Sequence, residues 1–545
     1  MSDIDYYCKR FNSLKERRLP FDNLWRDLAN FVVPTRAYPF DTDQPSVANN
    51  ETSKNRRYKT YDSTAEVALE IFASSLVGFL ANPATNWFEL TPTDERLLKV
   101  EGVAAWFDIA TKRTLAAFSD TNAKFYTNLK MCATDIGVFG TVGMLIQPGK
   151  KPFLEFSSRN VKELYIAEDM SGNVDTVYRK LLMTARQVAE QFGVEKLSGP
   201  MRSRLKDKPD ELVYIMHAIE PREGYDKSKK GNLNMPFKSV YIDEESKMIL
   251  DEKGFEEMPI PVGRWEVFIN DIYGTPPAAR VLADIKMVNK MEQAHIVAVE
   301  KTLNPPLQMP DDGFLGNIDL SAGAINVYRS MTPGRLEPVQ TIGNLPITLE
   351  MLASKRNLIR EAYYIDQLQL MNSPQMTATE VMARTDEKLR LMSPMIGRIQ
   401  SELLGPIIAR SFNILLRLSE EREWDITAPF PQPPEILKQL DYEIRYVSPM
   451  ERAQRASEAN SIMAYINSIA PLSQIDPNIL DNLNFDEVTR ELHDIQSIPS
   501  SILKTKNEVN ADRKARAAQQ QAQQQMQMAA QVAEIASKAE AAEGI

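Results

Sequence analysis

Between Tyr273 and Glu423 the chain writes a helix, a stretch broken by proline and glycine, a second helix, a short polar loop and a very long third helix. Little chemistry is written into it, so the order of these elements is what constrains the fold. The first helix opens after Gly274-Thr275-Pro276-Pro277, where proline suits the first turn because its missing amide would be unsatisfied there anyway. Val281, Leu282, Ile285, Val288, Ile296, Val299 and Leu303 recur at three- and four-residue steps among Asp284, Lys286, Lys290, Glu292 and Glu300, so one face packs and one is wet. At about 1.5 Å per residue the rod to Leu303 is roughly 40 Å long. Asn304-Pro305-Pro306 stops it, and from Leu307 to Pro346 Asp311-Asp312-Gly313, Gly316, Gly323, Pro333-Gly334, Pro338 and Gly343 signal turns and strand ends. Helical pattern resumes from Thr348 through Leu368. Beyond Met371-Asn372-Ser373-Pro374-Gln375 a third pattern runs from Val381 to Leu418, with Pro394 and Pro406 inside it. Each interior proline removes a backbone hydrogen bond at a cost of about 3 kcal/mol, so bends are expected at Ser393-Pro394 and Gly405-Pro406.

The 545 residues allow more than one hydrophobic core, and 43% hydrophobic with 25% charged is ordinary globular usage. Two or more lobes are expected. The longest apolar run, Val67 to Leu80, contains Glu70 and is too short to cross a bilayer, and the first residues lack the basic-then-apolar layout of a signal peptide. Cys8 and Cys132 have no metal-like spacing, which predicts reduced thiols. A net charge of −10 argues against a protein that grips duplex DNA with a basic face.

Along the chain, Asp3 to Phe31 reads as an amphipathic helix around Pro20, and Thr35 to Thr60 as a long polar connection with the basic-aromatic cluster Arg56-Arg57-Tyr58-Lys59. Asp62 to Leu80 is a buried helix, Trp87 to Leu90 a strand, and Val103 to Phe118 and Lys124 to Phe139 two more helices. The pattern then shortens to strands at Met144 to Gln147, Phe153 to Phe156, Val174 to Leu182, Leu212 to Glu220, Ser239 to Asp243 and Lys247 to Asp251, with a helix at Ala185 to Phe192. Pro429 to Pro434 reads as a stiff hinge, Tyr442 to Val447 as a strand, and Pro449 to Ile469 and Phe485 to Ile495 as helices. Ala511 to Ile545 is nearly all Ala, Gln, Lys and Glu, which favours helix but supplies no sustained apolar heptad.

Catalytic signatures are near misses. Gly143 to Lys151 has phosphate-loop character, but its glycine spacing is one too long and no Ser or Thr follows the lysine, so a hairpin turn is expected. Gly137, Gly140 and Gly143 end a helix where a dinucleotide site would open one. His217, His295 and His493 stand apart from any ligand-spaced Cys or carboxylate, and no Gly-x-Ser-x-Gly elbow occurs. The expectation is a protein that is not an enzyme and takes no cofactor and no metal.

Several strings, in this order and spacing, resemble the portal proteins, or head-to-tail connectors, of short-tailed bacteriophages. They are Tyr61-Asp62-Ser63-Thr64-Ala65, Ala73-Ser74-Ser75-Leu76-Val77-Gly78 and Asn86-Trp87-Phe88-Glu89-Leu90-Thr91, then Tyr273-Gly274-Thr275-Pro276-Pro277 with its helix to Leu303-Asn304-Pro305-Pro306-Leu307. Met376-Thr377-Ala378-Thr379-Glu380-Val381 ahead of Leu404-Gly405-Pro406 completes the set. The resemblance spans Leu24 to Val447 and reaches the tail only in style.

What the resemblance implies is an α+β portal fold assembled as a ring of about twelve subunits with head-to-tail interfaces. The implied parts are a wing at 1–272, a first stem helix at 273–303, a small α/β clip at 304–346, a second stem helix at 347–368 and a tunnel loop at 369–376. A kinked spine helix at 377–423 and a crown with the Ala/Gln-rich helix at 424–545 complete them. Duplex DNA would pass through the ring without sequence readout, brushed by Gln369, Met371, Asn372, Ser373 and Gln375 of the tunnel loop and by Lys286 and Lys290 of the stem. For twelve copies the net charge is on the order of −120, which would repel sliding DNA from the wall. The clip, through Phe314 and Leu315, would meet first the terminase motor and later a tail adaptor, and capsid or scaffold proteins would hold the ring at the vertex of the virion after assembly in the host cytoplasm. No membrane contact is implied. The alternative reading is a structural tail adaptor ring, and a third is a nucleotide-using packaging enzyme, which the missing phosphate loop disfavours.

Overall fold

The computed structural model describes residues 3–34, 60–100, 102–151, 153–226, 231–303, 307–308, 337–338, 345–368, 392–437, 441–447, 459, 461–469, 471, 483–495 and 508–523. In chain order its main helices are α1 (Asp3–Phe31), α2 (Thr64–Leu80), α3 (Val103–Ser119), α4 (Phe125–Phe139), α5 (Ala185–Phe192) and α6 (Gly199–Asp207). They continue with α7 (Leu282–Leu303), α8 (Leu345–Ala362), α9 (Gly405–Glu421) and α10 (Phe485–Ile495). The strands are β1 (Phe88–Pro92), β2 (Thr141–Pro148), β3 (Leu154–Arg159), β4 (Leu164–Glu168), β5 (Val174–Thr184) and β6 (Leu212–Pro221). After them come β7 (Phe237–Asp243), β8 (Met248–Phe255), β9 (Val262–Arg264), β10 (Leu307–Gln308), β11 (Glu337–Pro338) and β12 (Tyr442–Tyr446). The mixture of helix and antiparallel sheet is the α+β class expected from the sequence.

The chain divides into two compact units, one of Met1–Asn86 with Thr114–Glu421, the other of Trp87–Arg113 with Arg422–Ile545. In the first, β4 to β8 form an antiparallel meander in sequence order. Alternate residues point to opposite faces of a strand, so each face gathers its own core. Tyr7, Phe11 and Leu14 of α1 pack with Tyr165, Tyr178, Met216 and Val240 on one side. Val188 and Phe192 of α5 and Met201 of α6 pack with Val213, Ile215 and Leu250 on the other. The strand β4 and the helix α6 were not anticipated. Four of the five residues of β4 are buried, which leaves little alternation to read, and Gly199-Pro200 looks like a loop until Ser198 caps the helix by accepting from the Met201 amide at 3.3 Å.

A three-stranded sheet, ordered β3-β2-β9, joins this body to α4 and α9. The glycine- and lysine-bearing stretch between β2 and β3 is the expected hairpin turn, with the Gly149 amide donating to the Phe153 carbonyl at 3.0 Å. Gly140, at φ +72°, closes α4, and a Cβ on it would run into the Gly274 backbone, so chain end and chain start of two helices touch where side chains cannot fit.

The proline bend expected at Gly405-Pro406 takes a specific form. Residues 392–399 are α-helical, Gln400–Leu404 form a π-turn in which the Gly405 amide donates to Gln400, and α9 follows. A π-turn inserts one residue and re-aims the helix face, which accommodates the amide that Pro406 lacks. Pro394 lies at the margin of the described segment, and the rest of the expected spine, to Val381, lies outside the described residues.

In the second unit β1 and β12 pair antiparallel, Phe88 opposite Tyr446. The proline run read as a hinge is a packed strap: Arg113 donates to the Ala428 and Pro429 carbonyls at 3.2 and 2.6 Å, the Trp106 indole donates to the Pro431 carbonyl at 3.0 Å, and Phe430 is buried. Residues 461–469 and α10 are helical as expected, and of the Ala/Gln-rich tail 508–523 are helical.

Candidate stem and its root

The two helices bracketing the expected clip, α7 and α8, pack on each other, α8 also on α2 and α7 also on α1. Their burial falls off along their length. In α7 Ile285 and Val288 are core residues, whereas none of residues 289–301 is buried. In α8 only Leu352 and Ile359 are buried among residues 349–362. Each helix thus offers one narrow seam to its neighbour and leaves the rest open.

The inner ends are locked by charge. Lys355 of α8 meets Asp284 of α7 at 2.8 Å, and Arg356 reaches Glu292 at 3.1 Å and Asp62 at 2.7 Å. Asp62 also accepts from the Thr64 amide at 2.9 Å and so satisfies an orphan donor at the start of α2. Next to it the Tyr61 amide donates to Asn289 at 2.6 Å, and Gln293 donates to the Tyr61 hydroxyl at 3.2 Å. Tyr61 to Ala65, one of the strings that carried the resemblance, is therefore the clamp at the root of the helix pair. Sequence reading missed Arg356, Glu292 and Lys355 as its partners, because pairing across three helices leaves no spacing signature.

The string that opens at Tyr273 is a joint of the same root. Tyr273 is buried with its ring 5.1 Å from Trp25 and 5.2 Å from Phe21, both on α1, and its hydroxyl accepts from the Ile166 amide at 3.2 Å. Burial raises its pKa above the ordinary phenol value. Trp25 donates in turn to the Phe139 carbonyl at 3.0 Å. Behind the joint, buried Arg264 of β9 makes a bidentate bridge to Glu402 at 2.9 and 2.8 Å, pairs with Glu168, and donates to the carbonyls of Ile272 and Gly172 at 3.0 and 2.8 Å. The π-turn aims Glu402 at this arginine.

Of the stem lysines, Lys286 is held, its ammonium 2.7 Å from Asp27 and 5.4 Å from the Phe31 ring. Lys290 is exposed and forms no ion pair with any described residue. It belongs to a stripe Ala283, Met287, Lys290, Ala294, Val297 and Lys301, all exposed and spaced by three or four residues, beside exposed Ile296. Leu349, Met351 and Leu358 are likewise exposed on α8. Gln369, Met371, Asn372, Ser373, Gln375, Phe314 and Leu315 lie outside the described residues.

His217 is buried in the sheet, 2.8 Å from the Ser239 hydroxyl and stacked on Tyr241, and His295 is half-buried on α7. Among the described residues no group of three or more His, Cys, Asp or Glu could hold a metal ion, and no helix is long and apolar enough to cross a membrane.

The chain is 29% identical over 520 residues to a protein named probable portal protein from Bordetella phage BPP-1, covering 94% of this chain and 91% of that one. It is 28% identical over 525 residues to the portal protein of Salmonella phage epsilon15, with the same coverage of each. A family model described as bacteriophage head to tail connecting protein matches residues 5–503. The match covers both units, including the clamp, the joint and the helix pair, and the chain belongs to the bacteriophage head-to-tail connecting protein family.

Proposed function

We propose that the chain is the portal subunit of a tailed phage: a ring at one capsid vertex through which genome DNA enters during packaging and leaves on ejection. The observation that carries the reading, within a family of head-to-tail connectors, is the α7–α8 pair. It is rigidly rooted by Asp62, Arg356 and Glu292, yet bears exposed apolar residues at Met287, Ile296, Val297, Leu349, Met351 and Leu358. Surfaces of that kind call for a cover, and a neighbouring subunit in a cyclic, head-to-tail ring supplies one.

In this reading 273–303 and 347–368 are the stem, 304–346 the clip, 369–376 the tunnel loop, 377–423 the spine of the wing and 424–545 the crown. The ring holds about twelve subunits. The tunnel-loop residues Gln369, Met371, Asn372, Ser373 and Gln375 touch DNA weakly, Lys290, on the stripe with Met287 and Val297, faces the neighbouring subunit, Lys286 acts through Asp27 to hold the stem, and Phe314 and Leu315 of the clip meet terminase and then a tail adaptor. Packaging energy comes from the motor, and the subunit performs no catalysis.

Deletion from the phage tests this directly. Procapsids assembled without the protein are expected to stay empty of DNA. DNA-filled heads lacking tails would instead identify an adaptor that joins after packaging.

A further inference from the structure

A cavity of about 890 Å³ opens beside the meander sheet, far along the chain from the stem, and Arg159, Arg179, Glu163, Gln187, Tyr214 and Tyr241 line it. Strand register brings its charges together: Arg179 of β5 stands opposite His217 of β6, which stands opposite Tyr241 of β7. Arg179 is 2% exposed and meets Glu163 at 3.0 Å. Arg159, the last residue of β3, lies 4.0 Å from the same carboxylate, and its Nε is buried without a partner. Two guanidinium groups therefore share one carboxylate, and the site carries a surplus positive charge.

The two arginines are also short of acceptors. The Nε atoms of Arg159 and Arg179 are buried without a partner, as is the Nδ1 atom of neighbouring His217. A buried donor left unpaired is costly, and native sites usually supply it with a water or an ion. Burial, then the Arg179 charge, lowers the Arg159 pKa, and both arginines add to burial in depressing that of His217. An anion entering the cavity would meet the two arginines that line it.

We infer that this cavity binds a phosphate group, either free or carried by a small molecule no larger than a nucleotide, with Arg159 and Arg179 as its cationic ligands. Paired guanidinium groups suit a phosphate because their planar donors meet two oxygens together. The volume lies within the range of small-molecule sites, and Lys180, 4.3 Å over the Tyr214 ring, adds a further positive charge to the lining. The inference does not depend on ring assembly, since every residue named belongs to one unit of one chain.

Titration calorimetry on the full-length protein tests it, with inorganic phosphate and with adenosine monophosphate at constant ionic strength. One site per chain is expected. Arg159→Gln should weaken phosphate binding by about fivefold or more, and Glu163→Gln, which frees both arginines, should tighten it by a similar factor. A merely structural ion pair would not give these opposite signs. Tighter binding of the nucleotide than of phosphate would assign a ligand with an organic body, and equal binding would assign the free ion. Both support the site. Heats indifferent to both substitutions would mean an adventitious ion only and would overturn the inference, as would no binding at millimolar phosphate. Should Arg159→Gln fail to fold, the tightening expected in Glu163→Gln decides alone.

Discussion

At the scale of single residues the molecule invests its buried charge in joints. Arg264 is 1% exposed and spends its donors on Glu402, Glu168 and two carbonyls. Removing one partner of such a network strands the others. Arg264→Met is therefore expected to lower stability by about 3–5 kcal/mol in chemical denaturation, because Glu168 loses this cation and Glu402 keeps only Arg398, at 3.3 Å; a loss below about 1 kcal/mol would mean the network is solvated and weak. His217 gives a pH-dependent test. Burial, then Arg179 and Arg159, push its pKa well below the ordinary value, so the folded ring stays neutral while the unfolded one takes a proton below about pH 6.5. The unfolded state then binds more protons, and stability falls as pH falls. Between pH 7.5 and 5.5 the wild type should lose about 1.4 kcal/mol more than His217→Gln, measured by urea unfolding at the two pH values. Equal losses would show that His217 titrates normally.

At the scale of elements, much was legible and the reasons are particular. The helix Asp3–Phe31 was read to the residue, because Phe11, Leu14, Leu24 and Leu28 keep a helical period through Pro20. The strands Val174–Thr184 and Leu212–Pro221 were read because β-branched and aromatic residues cluster between turn signals. Leu164–Glu168 was missed because burial on both faces erases alternation, and the π-turn at Gln400–Leu404 because a proline announces a bend without saying how the backbone absorbs it. The helices α7 and α8 were legible as helices, whereas the clamp of Asp62, Glu292 and Arg356 was not, since its parts lie up to 294 residues apart. The exposed apolar stripe of α7 leads to a prediction at this scale. Val297 is 41% exposed, so Val297→Glu should change the stability of the isolated subunit by no more than about 0.5 kcal/mol. The same substitution should prevent or weaken assembly, seen as a shift from ring to monomer in sedimentation velocity. An unperturbed ring would show that this stripe faces solvent or the bore.

At the scale of the whole molecule, a family of connectors, a net charge of −10 and an uncovered helix pair act together. A net charge of −10 per chain is unsuited to gripping a duplex and well suited to letting one slide. That property has meaning only in a closed ring, where many copies surround one DNA. The most direct measurement is therefore native mass spectrometry of the purified full-length protein, with negative-stain class averages of the same sample. A closed ring of about a dozen subunits around a bore wide enough for duplex DNA is the expected result. A protein that stays monomeric under every assembly condition, including in the presence of its capsid and scaffold proteins, or a ring whose bore excludes a duplex, would contradict the portal assignment.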